Sequence, residues 1–147
     1  MSRRLPMPIW TNESAGPRAV IEVTDSAKRE AFANILTSRG YAVRTCAGPE
    51  ATDDRCPLVE FGHCDGVGRA DVVVHSMRQY DPRNREVLAQ IRARHPETPV
   101  VVEVPRPLVE SRPDDYVGCT VVLQPVTRER LLEALDAALG GTAGDQA

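Results

Sequence analysis

Two valine-rich stretches, ADVVVHS at 70–76 and TPVVVEV at 98–104, constrain this chain more than anything else in it. Near-continuous runs of β-branched residues read as strands buried on both faces, the condition of a parallel sheet. Parallel strands need a crossover between them. NREVLAQIRAR (84–94) supplies one, with Val87, Leu88 and Ile91 on one side at helical spacing.

The same alternation runs through the rest of the sequence. RAVIEVTD (18–25) is a β-branched run ending in Thr24 and Asp25. In DSAKREAFANILTSRG (25–40), Ala27, Phe32, Ile35 and Leu36 recur as on a helix; Asp25 or Ser26 can cap its start and Gly40 stops it. YAVRTC (41–46) alternates like a strand with one solvated face. CTVVLQP (119–125) predicts the last strand and TRERLLEALDAALGG (127–141) the last helix, capped by Thr127. The order is β-α-β-loop-β-α-β-loop-β-α. Right-handed crossovers then set helices on both faces of the sheet. The expected fold is α/β: a flavodoxin-like, doubly wound sheet of five parallel strands in the order 2-1-3-4-5. It spans 18–141, after a flexible segment 1–17 whose isolated Trp10 could dock on a partner or on its own domain, and before a tail at 142–147.

At 147 residues the chain fits one domain, and its 41% hydrophobic and 27% charged content suits a soluble, folded protein. Aromatics are only 4%, so the core must rest on aliphatic side chains, which argues against base stacking. The net charge of −3 gives no basic excess for nucleic acid. Lys28 is the sole lysine among 18 basic residues, which reads as coding bias. No apolar run approaches the roughly 18 residues that span a bilayer. The opening MSRRLPMPIW lacks the apolar stretch of a secretory signal. A cytoplasmic setting follows, in which the four cysteines are expected reduced or metal-bound.

Over residues 18–140 the chain resembles the receiver domain of bacterial response regulators. VIEVTDSAKRE sits where that family has a strand ending in paired acids, and ADVVVHSM where it carries the phosphoacceptor aspartate. TPVVVEVP matches the strand ending in a switch Thr or Ser; VVLQPVTRERLLEAL matches the strand, Lys-Pro pair and last helix. The resemblance implies an acyl-phosphate site in which acids hold Mg²⁺ and a hydroxyl and an ammonium bind the phosphoryl oxygens. Here the set is degenerate. Asp25 remains as one acid, Thr24 replaces the other, and Ser76 stands at the acceptor position. Val104 takes the switch position and Gln124 that of the lysine, while Pro125 is kept. One carboxylate cannot build the Mg²⁺ site, and a serine without an evident base is a poor acceptor.

Three polar residues interrupt the apolar strands: Glu22, His75 and Glu103. Strand parity puts Glu22 and Thr24 on one face and Asp25 and Ser76 on the other. With the receiver register, Glu22, His75 and Glu103 are expected on a common side of the sheet. They form a hydrogen-bonded polar patch, a metal or acid–base site, or an exposed group near the sheet end.

The crossover CAGPEATDDRCPLVEFGHCDGVG (46–68) is broken by Pro49, Pro57, Gly62, Gly66 and Gly68 and is expected to hold little helix. It carries Cys46, Cys56 and Cys64, with His63 beside the last. The spacings C-x9-C and C-x7-C lack a zinc knuckle, so three readings stay open. The thiols are small apolar residues, a zinc or iron–sulfur ligand set with His63, or a redox disulfide. Cys119 stands apart as a core thiol. Arg83, Arg85, Arg92 and Arg94 read as a solvated basic face.

The expected function is a non-catalytic pseudo-receiver, a signalling module without aspartyl phosphorylation. Its partner, or a second copy, would dock on the last strand and helix. The alternative is a metal or redox sensor built on the loop thiols. An enzyme around His75, Glu22 and Glu103 lacks a visible catalytic set.

Overall fold

The structure, a computed structural model, describes residues 10–11, 16–50 and 56–144. Five parallel strands run in the order 2-1-3-4-5: β1 (Arg18–Val23), β2 (Ala42–Cys46), β3 (Val72–Ser76), β4 (Val100–Val104) and β5 (Thr120–Leu123). The fold expected from the valine runs is the fold found. The helices are α1 (Ser26–Ser38), α2 (Pro57–Phe61), α3 (Asp65–Arg69), α4 (Pro82–Arg94), α5 (Arg106–Ser111) and α6 (Arg128–Gly144).

Two cores sandwich the sheet. One collects Ala19, Ile21, Val72, Val74 and Val101 with Phe32 and Leu36 of α1 and Leu131 and Leu135 of α6. The other collects Val20, Val73, Val100 and Val102 with Leu58 of α2, Val67 of α3 and Leu88 and Ile91 of α4. Alternate residues of the same valine runs serve opposite cores, which is why the runs are continuous.

Both connections expected as loops hold helix. In the β2–β3 crossover Pro57 occupies the first turn of α2, where its missing N–H costs nothing, and Gly62 ends that helix in the left-handed region at φ 73°. Of the residues read as breakers, Pro57 and Gly62 are therefore boundaries, while Gly66 and Gly68 are helical. Gly66 lies inside α3, where a Cβ would meet the Arg44 guanidinium at 3.0 Å. The β4–β5 connection folds into α5 and a short 3₁₀ turn, Pro113–Tyr116.

Part of the segment expected to be flexible is fastened. Trp10 is buried in the second core, and Thr11 exchanges backbone hydrogen bonds with Val43 at 2.9 and 3.1 Å. This antiparallel bridge pairs the outer edge of β2 at Val43. Residues 1–9 and 12–15 of that segment, and 145–147 of the expected tail, lie outside the described residues. No described helix is long and apolar enough to cross a membrane.

Candidate functional site

In open parallel sheets the carboxyl ends of the strands form the usual ligand crevice. Here β1, β3 and β4 deliver Thr24, Asp25, Ser76 and Glu103 to that end. The site residues expected as one polar cluster divide between the two faces. β1 and β3 pair Glu22 with His75, as parity predicts. β3 and β4, however, pair His75 with Val102. Glu103 falls one residue further and points to the other face, beside Ser76. Alternation makes any one-residue offset a change of side.

On the Ser76 face, Glu103 is 6% exposed and surrounded by donors. The Ser76 hydroxyl donates to its Oε1. The Lys28 ammonium, from the first turn of α1, reaches the same oxygen at 2.5 Å. The backbone N–H of Val126 donates to Oε2 at 3.3 Å. The chain's single lysine thus neutralises its buried β4 carboxylate. Asp25 is used as the α1 cap, accepting from the Lys28 N–H at 2.8 Å. Arg29 Nη1 donates to the carbonyls of Val23 and Thr24 at 2.8 and 3.0 Å, so a guanidinium sits at the end of β1. Thr24 Oγ1 is buried without a hydrogen-bond partner among the described residues. Val104, assigned the switch position, is fully buried on the opposite face, and Gln124 is exposed.

On the other face, a buried polar line crosses the core. His75 Nδ1 lies 2.7 Å from Glu22 Oε1, and His75 Nε2 lies 2.9 Å from Gln79 Nε2. The Gln79 amide also donates to the Met77 carbonyl at 3.1 Å, and its oxygen accepts from the Tyr116 hydroxyl at 3.3 Å. Donor and acceptor roles close in one way: Nδ1–H toward Glu22 and Nε2 as acceptor from Gln79. Burial, then the charge of Asp115, raises the Tyr116 phenol above its ordinary pKa, which suits its role as donor.

Beside Glu22 a cavity of about 330 Å³ opens under the β2–β3 crossover. Cys46, Cys56 and Cys64 all line it, together with Glu22, Arg44 and Met77; Val20, Leu58 and Val87 supply its apolar wall. The three thiols expected to act together do share one space, and Cys119 stands apart, packed against the core near the opposite sheet edge. His63 is exposed and is not part of that lining, so the set of three cysteines and a histidine does not assemble. Among the described residues no three His, Cys, Asp or Glu side chains converge on a point that a metal ion could occupy, and all four cysteines are free. Cys46 is exposed as a residue, yet protein atoms crowd around its thiol. That burial, then the Glu22 charge, pushes its thiol up to about 12. Burial likewise raises the Cys56 thiol.

The basic face of α4 is not all solvated. Arg85 donates to the carbonyl of Gln79 at 2.7 Å and Arg92 to that of Asp115 at 2.6 Å, tying α4 to its neighbouring loops. Sequence reasoning also missed Lys28 as an ion-pair partner, and missed Gln79 and Tyr116 altogether. The polar run RQY after β3 was the available signal.

The architecture is shared with solved receiver domains. A response regulator receiver domain from Clostridium thermocellum superposes with a TM-score of 0.65 at 16% identity, covering 87% of this chain and 98% of that one. One from Methanospirillum hungatei gives 0.65 and 16%, covering 88% and 98%. The receiver domain of a Francisella response regulator gives 0.63 and 15%, covering 86% and 99%. Neither a protein-family model nor a curated protein sequence matches the chain. The chain has the receiver-domain fold, with its own residues at the site.

Proposed function

We propose that the protein is a receiver-fold signalling module that acts through protein contacts and carries no aspartyl phosphate. The observation behind this reading is the state of Ser76. Its hydroxyl proton is committed to Glu103, and that carboxylate is already held by Lys28 and the Val126 N–H. A phosphoryl group would meet a buried carboxylate where the family's chemistry needs cations. Arg29 at the β1 carbonyls and Asp25 in its cap leave Mg²⁺ without a ligand set. The pocket is filled by its own charges, and the protein on this reading is not an enzyme.

The contact surface we favour is the β5 edge with α6. β2, at the other edge, is partly occupied by the Thr11 bridge at Val43. β5 is an edge strand with Thr120, Val121 and Leu123 partly exposed above α6. An open strand edge offers unpaired backbone groups to a partner or a second copy. A reducing, cytoplasmic setting suits the free thiols.

Mg²⁺ titration of the ¹⁵N-labelled protein tests the reading. We expect no saturable shift at Thr24, Asp25 or Ser76 up to tens of millimolar. Saturable shifts at those amides would return the site to phosphoryl chemistry.

A further inference from the structure

Without a phosphoryl group the domain needs another input, and the cavity under α2 and α3 is built to receive one. Its volume of about 330 Å³ lies at the lower end of the range that small-molecule sites occupy. Its wall is mostly apolar: Val20, Leu58, Val87 and the flexible Met77, with thiols that burial keeps neutral at Cys46 and Cys56. Glu22, only 4% exposed, is part of the lining. A buried carboxylate facing an apolar space is costly unless donors meet it, and His75 meets one of its oxygens at 2.7 Å. Arg44 lines the cavity too, but its charge is directed to Asp65, 3.7 Å away.

We propose that this cavity binds a small, mainly apolar molecule with one cationic, hydrogen-bond-donating head, a primary amine in its simplest form. The head meets Glu22 and the body lies against Val20, Leu58, Val87 and Met77. An anionic head would face Glu22 and is rejected. Among the described residues the three sulfurs do not converge on a point that a metal ion could occupy. The polar line then has a use. A head that shares Glu22 alters the bond from His75 Nδ1, and His75 Nε2 passes the change to Gln79 and Tyr116. Occupancy is felt in the connection after β3, next to the Ser76 end of the sheet. The inference rests on the reading above only in treating the molecule as an input.

The test is titration of the ¹⁵N-labelled full chain with 2-phenylethylamine, and in parallel with ethylbenzene and 3-phenylpropionate. We expect saturable shifts for the amine at Cys46, Leu58, Gly66 and Met77, extending to Gln79 and Tyr116. The carboxylate should bind at least about tenfold more weakly, the equivalent of one missing good polar contact. Cys64→Phe, which fills the cavity from its side, should abolish binding, and Glu22→Gln should erase the preference for the amine. No saturable shift with the amine, shifts confined to other regions, or equal binding of all three compounds would overturn the proposal. So would stoichiometric Zn²⁺ or Cu⁺ uptake that displaces the amine. An acyl phosphate on the protein would instead sink the reading above and leave amine binding untouched.

Discussion

At the scale of single residues, the account turns on Glu103. A carboxylate in the middle of VVVEV was legible as an anomaly, because nothing else in that run is polar. Which face it takes was not legible. That depends on how β3 and β4 align, and one residue of offset exchanges the faces. Its partner was hidden for another reason: Lys28 lies 75 positions away, and no local pattern links the two. The pairing has a measurable consequence. Lys28→Met leaves Glu103 buried with two weaker donors and should destabilise the fold by about 1–3 kcal/mol, the usual cost of an undersatisfied buried polar group. Lys28 is one-third exposed, which places the loss below that of a fully buried ion pair. Lys28→Arg keeps the charge and should lose less. Urea denaturation of both variants decides it; equal stability of Lys28→Met and the parent would mean that Glu103 does not depend on the ammonium.

At the scale of elements, the β2–β3 crossover departs furthest from its sequence reading. Proline and glycine mark interruptions, but they do not say whether the residues between them are helical. Here Pro57 starts a helix and Gly62 ends one. The β4–β5 connection hides α5 in the same way, because RPLVES is too short to show a period. The crossover is shaped by Gly48. It sits at φ 84°, and a Cβ there would come within 2.5 Å of Met77 Cε. Gly40, at φ 88° after α1, has open space around it. Gly40→Ala should therefore cost about 1–2 kcal/mol, from the left-handed backbone alone. Gly48→Ala should cost more, because Met77 must also leave the cavity wall. If the two variants lose the same stability in urea, Met77 is not held where the cavity needs it.

At the scale of the whole molecule, the sheet order and the two cores were legible, because β-branched runs and helical spacing are physical signals of burial. The division of polar residues between faces depends on contacts far apart in sequence, so it was not, and the sequence left open whether Trp10 docks on its own domain, as it does, or on a partner. The folded state holds several groups in their neutral forms. Tyr41, Cys46, Cys56, Tyr116 and Cys119 all have raised pKa values, each chiefly through burial. Unfolding releases these groups to ionise at their ordinary values of 9.0 for a thiol and 10.0 for a phenol. Their contribution is complete below those values and is lost as pH climbs toward the folded ones, about 12 for Cys46. The urea midpoint should therefore decline from about pH 9 upward. Cys46→Ala with Cys56→Ala should make that decline shallower, with Cys119 still setting its onset; an unchanged profile would show that these two thiols are not shielded. The central claim is that a receiver fold has been turned away from phosphoryl transfer by filling its pocket with an internal Ser76–Glu103–Lys28 contact. Incubation of the full chain with acetyl phosphate and Mg²⁺, read by intact mass at neutral pH, tests this most directly. The account predicts an unchanged mass, also for Ser76→Asp, whose new carboxylate would face Glu103 without a metal. An alkali-labile phosphoryl adduct on the parent protein in good yield would contradict it.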